Sequence, residues 1–544
     1  MKSGLHSEEK QEKQPSVKKD IELDHIRPDL AEVIERYSFG LDENRPDEVA
    51  RRNDKNRRTA RTYVNELCDP DTFIEYGAFA LAAQRQRRSL DDLIKRTPTD
   101  GMIAGIGSVN GSLYGQEKSR CMIMAYDYTV LAGTQGFFNH KKKDRILQVA
   151  YEQRLPLIYL AEGGGGRPGD VDADGIVASG LDLSTFYLFA RLSGEVPVIG
   201  VVTGYCFAGN SALLGCCDVI ISTRDSNIGM GGPVMIEGGG LGVVKPEDVG
   251  PMDIQTGNGT VDILVADDKE AIAATKKYLS YFQGADTEWE AEDQRILRRL
   301  IPENRRRVYD IRTVIKTLAD KDSFMELRAQ FGPSMITGFM RIEGKPFGVF
   351  ANNCKVTGGA IEAEGADKVA RLQQICSAHG LPILSLIDTP GFMVGPEIEK
   401  RAQVRHVCRM FVVGANITVP IFAVVLRRGY GLGAMAMAGG GFLESVFTAS
   451  WPTGEFGGMG LEGAVKAGFR KELEAVKDPQ EREALYETLV AELYRRGKAI
   501  NVASYLELDA VIDPADTRKW ILRGLPNIPS AEFRGANHNF VDPW

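Results

Sequence analysis

Across its 544 residues the sequence has no stretch near the roughly 20 consecutive apolar residues that cross a bilayer, and its longest apolar runs are cut by glycine. No membrane insertion is expected. An excess of positive charge is missing too: 66 Lys and Arg stand against 74 Asp and Glu, for a net charge of -8. That balance argues against a nucleic-acid footprint, while leaving room for a local basic patch that holds an anion. The eight cysteines include no CxxC, and the six histidines no HxxxH or HExxH. A disulfide framework and a metal bound by this chain are therefore not expected. GxxxxGK followed by Ser or Thr is absent, and so is GxSxG, so P-loop and nucleophile-elbow chemistry lack their signatures. The opening MKSGLHSEEKQEKQPSVKKD has no apolar segment and mixes acids with bases, unlike a signal or transit peptide. Residues 1–45 read as a flexible polar extension, and a reducing cytoplasm is the simplest home for the chain.

What is present is a long internal echo. KKDRILQVAYEQRLPLIYLAEGGGG, from Lys142, is answered by KVARLQQICSAHGLPILSLIDTPGF, from Lys368. Each lysine precedes its proline (Pro156, Pro382) by 14 positions, and Glu162 and Asp388 each follow that proline by 6. Further on, VPVIGVVTGYCFAG from Val196 is matched by VPIFAVVLRRGYGLG from Val419. A repeat of this length implies a duplicated domain, not a solenoid unit. Each copy reads as helix, buried strand, glycine turn, helix and buried strand, so an α/β layered fold is predicted. Residues 46–95 read as helical, 46–290 as a first domain and 291–544 as a second.

The glycine turns are where chemistry can reside. Tyr159 to Arg167 ends an apolar strand with four glycines, Gly163 to Gly166. Glycine lets a ligand approach bare N–H groups, and two such groups aimed at one oxygen form an oxyanion hole. Cys206 to Ser211 leads into a small-residue helix whose N-terminus adds donors, with Ala208 and Gly209 at its entry. Gly429 to Ala434 holds the equivalent position in the second copy. A purely structural use of these glycines, in tight turns and close packing, is the alternative.

These stretches resemble the carboxyltransferase family of biotin-dependent acyl-CoA carboxylases, over roughly residues 45 to 525. GEVPVIGVVTGYCFAGNSALLGCCDVIIS, PENRRRVYDIRTVIKTLADKDSFMEL, GFMRIEGKPFGVFANN, LSLIDTPGFMVG, ASWPTGEFGGMGLEGAV and VIDPADTR occur in the family's order. The resemblance implies two tandem crotonase-like domains, the first binding acyl-CoA and the second receiving biotin. It puts the active site at a seam between protomers, hence at least a homodimer, with hexamers common among relatives. Carried over, one oxyanion pair falls on Gly164 and Gly165, for the thioester oxygen, and the other on Leu432 and Gly433, for the biotin ureido oxygen. Ala208 and Gly209 join the substrate site. Lys142, or its neighbours Lys141 and Lys143, is expected to meet CoA phosphates, Arg167 to stand at the substrate site and orient the loop, and Met435 to line the acyl pocket. Asp388 is expected to be structural.

Two departures stand out: relatives often carry DSGGAR where this chain has EGGGGR, and a CAGGA-type turn where it has FAGNS. No biotin-attachment lysine motif occurs, because Ala434 to Met437 reads AMAM. Biotin and ATP chemistry are therefore expected from a biotin carboxyl carrier subunit and a biotin carboxylase. The reverse direction, decarboxylation of a carboxyacyl-CoA, and a non-catalytic scaffold are the alternatives.

Overall fold

Runs of Val, Ile and Leu with no polar alternation require cover on both faces of a sheet, and the fold supplies it. The structure, a computed structural model, describes residues 25–167, 169–172, 181–525 and 540–544. The first part of the chain contributes β1 (Ile74–Glu75), β2 (Met102–Ser108), β3 (Arg120–Tyr126), β4 (Leu157–Leu160), β5 (Val198–Val202), β6 (Tyr205–Phe207), β7 (Val219–Thr223), β8 (Asn227–Gly229) and β9 (Ile263–Val265). They form a sheet of order β1-β2-β3-β4-β5-β7-β9, with β6 and β8 as a separate pair. β2 pairs antiparallel with β1 and with β3, and from β3 onward every pairing is parallel. Every residue of β4, β5 and β7 is buried.

The second part repeats this plan. β10 (Met325–Leu327), β11 (Met335–Ile342), β12 (Lys345–Asn352), β13 (Ile383–Thr389), β14 (Ile421–Tyr430), β15 (Phe447–Ser450), β16 (Glu455–Gly457) and β17 (Ala510–Val511) make a sheet of order β10-β11-β12-β13-β14-β15-β17. Again the first two pairings are antiparallel and the rest parallel. β16 pairs with the end of β14 as β8 pairs with β6. The helices Phe137–Gln153 and Ala363–His379 are both 17 residues long and end on left-handed residues, Arg154 and Gly380. The repeat in the letters is thus a repeat in three dimensions.

Two coarse expectations need correction. The segment 46–95 is helical only at Pro46–Asn53, Ala60–Leu67 and Leu90–Arg96, because β1 and its loops intervene. The extension expected to be flexible to residue 45 is helical from Pro28 to Ser38, with Pro at the start and Asp29 in the first turn. Residues 1–24 of that extension lie outside the described part.

A shared core joins the two sheets. It collects Ile158, Leu160, Ile199 and Val201 from the first sheet and Phe339, Phe350, Ile383 and Val425 from the second. The helix Asp268–Gln283 lies between them, and its Tyr278, Tyr281 and Phe282 surround Phe339 at centroid distances of 5.6, 5.3 and 5.6 Å. Polar ties reinforce the junction. Arg328 pairs with Asp262 at 2.8 Å, and Arg371 donates to the carbonyls of Cys217 and Asp218. Replacing Phe339 with alanine removes the side chain that all three rings contact, and is expected to cost about 3–5 kcal/mol. Equilibrium unfolding in urea measures this.

Candidate active site

The end of β4 runs into the tetraglycine turn. Gly163 is tied down on both sides: its N–H donates to the Tyr205 carbonyl at 2.7 Å, and its carbonyl accepts from Phe207 N at 3.0 Å. A Cβ on Gly163 would stand 2.1 Å from the Gly133 carbonyl oxygen. Gly165 has φ +88, and a Cβ there would lie 2.6 Å from Cβ of Ala208. The turn is therefore pressed against the entry of the helix Gly209–Leu214, and Ala208 itself holds φ 54, ψ -125. That is a left-handed value unusual for a residue with a side chain. The Gly165 carbonyl accepts from Gln135 N at 2.6 Å, yet the N–H groups of Gly164 and Gly165 have no acceptor among the described residues. Such amides are free to serve a ligand oxygen.

In the second sheet the equivalent turn is Thr389-Pro390-Gly391. Gly391 accepts from Ile361 N at 3.1 Å, and Met393 N donates to Ile361 O at 2.9 Å, just as Arg167 N donates to Gln135 O at 2.9 Å. Here, however, Pro390 stands where Gly164 stands, 226 positions earlier, and proline has no N–H. Gly391 N is taken by Thr389 Oγ1 at 3.1 Å. This turn offers no free amide pair. Free donors lie instead at the start of the helix Gly431–Met437, where Leu432 and Gly433 N–H have no acceptor among the described residues. The two expected pairs thus occupy different levels of the repeat, one on a turn and one at a helix entry. Pro390 is the sequence signal that the turn equivalent to Gly164 and Gly165 offers no such pair in the second copy. Gly433 fits only as glycine, since a Cβ would lie 2.7 Å from the Gly391 carbonyl carbon. Leu432 and Met435 project from this helix, 61% and 40% exposed.

Several flanking residues prove to be supports. Lys142 is buried, and its ammonium donates to the carbonyls of Gly77, Thr99 and Met102, so it is not placed to meet a phosphate. Lys368, its counterpart, donates to the carbonyls of Arg328, Phe331 and Met335. An ammonium has three N–H donors, and each lysine finds three carbonyls. Lys143 is buried against Tyr126 Oη; Lys141 remains exposed beside the ring of Phe137. Arg167 also points inward, with its side chain 5% exposed and its guanidinium on Asp100 and Thr134. Its guanidinium clamps the loop from within. Cys206 borders the turn, but burial pushes its thiol up to about 12, so it is a neutral packing group.

Asp388 is wholly buried, with Arg427 Nη2 at 2.8 Å, Arg428 Nε at 2.7 Å and Tyr309 Oη at 2.9 Å. Burial pushes its carboxyl up, but the two guanidinium groups outweigh this and hold it below the usual carboxylate range. Its counterpart Glu162 is paired with Arg52. Over that pair a cavity of about 330 Å³ opens at the carboxyl ends of β3, β4 and β5, lined in part by Arg51, Lys55, Tyr128 and Tyr205. That end is where open α/β sheets bind ligands.

The carboxyl transferase domain family matches residues 51–527. The chain belongs to the carboxyl transferase family. It is 32% identical to the uncharacterized carboxylase YngE of Bacillus subtilis (strain 168), over 89% of this chain and 93% of that one. Against the methylmalonyl-CoA carboxyltransferase 12S subunit of Propionibacterium freudenreichii subsp. shermanii it is 29% identical, over 91% and 93% of the two chains. Among solved structures, a single-chain, multi-domain long-chain acyl-CoA carboxylase superposes with TM-score 0.86 at 52% identity. That match covers 92% of this chain, which spans about half (49%) of the solved one. The transcarboxylase 12S hexamer with methylmalonyl-CoA bound superposes with TM-score 0.79 at 27% identity, over 93% and 96% of the chains.

The arrangement offers two pairs of backbone N–H groups able to donate to an oxygen, Gly164 with Gly165 and Leu432 with Gly433. The buried charge pairs shape that backbone. Asp388→Asn leaves Arg427 and Arg428 without their counter-charge, and is expected to lower stability by about 3–5 kcal/mol. Thermal unfolding at neutral pH checks this.

Proposed function

We propose that the chain is the carboxyltransferase component of a biotin-dependent acyl-CoA carboxylase, moving CO2 from carboxybiotin to the α carbon of an acyl-CoA. The observation that carries this reading is the placement of two amide pairs without acceptors among the described residues, Gly164 with Gly165 and Leu432 with Gly433. Such pairs suit a reaction in which two oxygens, one on each substrate, gain charge.

Carboxybiotin, when seated, supplies CO2 and the base for the α proton. Leu432 and Gly433 N–H then bear the charge on the ureido oxygen, while Gly164 and Gly165 N–H bear that on the thioester oxygen as its α proton leaves. The resulting thioester enolate forms the new C–C bond to CO2. The repeated strand order supports reading the halves as tandem crotonase-like domains, about 46–290 and 291–544.

Charge of this kind is held well only away from water, yet in the single chain Gly164 and Leu432 are exposed. Large apolar side chains are exposed on both parts, among them Met230, Val234 and Val243 on one and Val394, Leu443 and Met459 on the other. These features support a seam between protomers that closes the site, in at least a dimer and, as in the solved 12S protein, a hexamer. The similarity to the 12S subunit of a carboxyltransferase, named as one component of a larger enzyme, supports assigning ATP-dependent carboxylation and biotin carriage to a biotin carboxylase and a biotin carboxyl carrier partner. The 52% identity to the solved long-chain enzyme favours a long acyl chain. Exposed Lys141, with Arg51 and Lys55 at the cavity rim, suits the CoA phosphates better than buried Lys142.

The test is reverse transfer, which uses the same site by microscopic reversibility. Full-length protein is incubated with free biotin and carboxyacyl-CoA thioesters of increasing chain length, and biotin-dependent decarboxylation is followed. Activity rising with chain length is expected; no turnover with any thioester leaves the scaffold alternative standing. Gly164→Pro places in the first turn what Pro390 places in the second, deleting one donor. It is expected to lower kcat about 10²–10³-fold, while Gly164→Ala, whose Cβ would meet only Thr134 Cγ2 at 3.5 Å, stays active.

A further inference from the structure

The first amide pair sits in a segment that cannot hold itself. Gly163 to Gly166 have no side chains to pack, and glycine has more backbone freedom to lose than any other residue. The last side chain before this segment is Glu162, and the first after it is Arg167. Both are buried and both end in charge pairs. Arg167 is held by Asp100 and Thr134. Glu162 is held by Arg52, with Nη1 to Oε1 at 2.8 Å and Nη2 to Oε2 at 2.9 Å, in side chains 9% and 10% exposed.

Comparison within the molecule shows that this arrangement is specific to the first half. In the second, Asp388 takes its arginines from the adjoining strand, Arg427 and Arg428. At the corresponding places after β5 stand Gly204 and Tyr205, so no arginine is available locally. Arg52 reaches in from the helix Pro46–Asn53, 110 residues away in sequence. Gly204 is part of the fit, because a Cβ there would lie 2.2 Å from Glu162 Oε1. The main chain of Glu162 is fixed as well: its carbonyl accepts from Asn210 Nδ2 at 3.2 Å, and the same amide group donates to Gly133 O. Glu162 thus ties the exit of β4 to the helix Pro46–Asn53 through its side chain, and to the helix Gly209–Leu214 through its backbone.

We propose that the Arg52–Glu162 pair is a positioning device for the Gly164 and Gly165 amides, the helix Pro46–Asn53 setting through Arg52 the direction in which the tetraglycine turn leaves β4. The inference rests on the carboxyltransferase reading. The Arg52 guanidinium is taken up by the Glu162 carboxylate and the Arg58 carbonyl, so the pair acts on the amides through the backbone it holds. A bidentate guanidinium–carboxylate pair fixes direction as well as distance, and misplacement of a catalytic group by about 1 Å can cost on the order of 100-fold in rate.

The experiment uses the full-length protein in reverse transfer with free biotin. Absence of wild-type activity would count against the carboxyltransferase reading; the present inference is judged by the ratio of variant to wild type. Arg52→Gln and Glu162→Gln are each expected to lower kcat about 10- to 100-fold, with KM for the thioester changed less than about twofold because binding elsewhere is intact. A pure charge effect predicts opposite signs: an unpaired Glu162 carboxylate slows enolate formation, and an unpaired Arg52 guanidinium speeds it. Opposite signs overturn the proposal. Because either single variant leaves a buried charge unpaired and can fail to fold, the doubly neutral Arg52→Gln/Glu162→Gln protein is measured beside them. Wild-type kcat in that folded double variant also overturns it. Finally, Gly204→Ala is expected to lower kcat, and Glu162→Asp, one methylene shorter, to restore it at least tenfold in the Gly204→Ala background. Unchanged kcat in Gly204→Ala alone contradicts the proposed fit.

Discussion

A backbone N–H can stabilise a developing oxyanion only if the surrounding chain denies it an internal acceptor and keeps it from moving. These requirements conflict. Hydrogen bonding is what normally immobilises backbone, and an amide already bonded is of no use to a substrate. Under the mechanism proposed above, the chain resolves the conflict by spending the neighbouring carbonyls and leaving the amides. The carbonyls of Gly163 and Gly165 accept from Phe207 and Gln135, while the N–H groups of Gly164 and Gly165 have no acceptor among the described residues. Rigidity then comes from buried ion pairs at the flanks, Glu162 with Arg52 and Arg167 with Asp100.

The repeat gives the fold two copies of this turn, and they differ in which amides they leave without an acceptor among the described residues. The strand orders agree and the helices Phe137–Gln153 and Ala363–His379 agree in length; so do the buried lysines, each with three carbonyl acceptors. What differs is small. Pro390 removes one amide from the second turn and Thr389 occupies the next, which leaves the helix entry at Leu432 and Gly433 as the donor site. In the first half the strand breaks after Val202 and restarts at Tyr205, whereas β14 continues unbroken to Tyr430. The arginines that neutralise Asp388 lie on that continuous strand, and the interrupted one has no residue to play their part.

Buried charge in this molecule serves geometry more than stability. A buried pair gains little over well-packed apolar residues, and losing one partner is costly. Here such pairs recur where the backbone must be held in one direction: at both glycine turns, and at the junction of the two sheets through Arg328 and Asp262. Between the sheets the bulk of the adhesion comes from apolar packing around Phe339.

The sequence by itself determined the α/β class, the duplication with its common spacing, and the places of the glycines that end the first turn and open the second small-residue helix. Those features are local: apolar runs, proline and glycine positions, and distances counted along one chain. Tertiary structure alone decided what the charged residues do. Lys142 was legible as a basic residue at a helix start, and only folding shows its ammonium enclosed by three carbonyls. Arg52 lay unremarked among the charges of a polar helix, and only folding brings it to Glu162 across 110 residues. The physical reason is that an apolar residue has one preference, burial, which its neighbours in sequence reveal. A long cationic side chain is satisfied equally by water, carbonyl or carboxylate, and which of these it meets depends on elements remote in the chain.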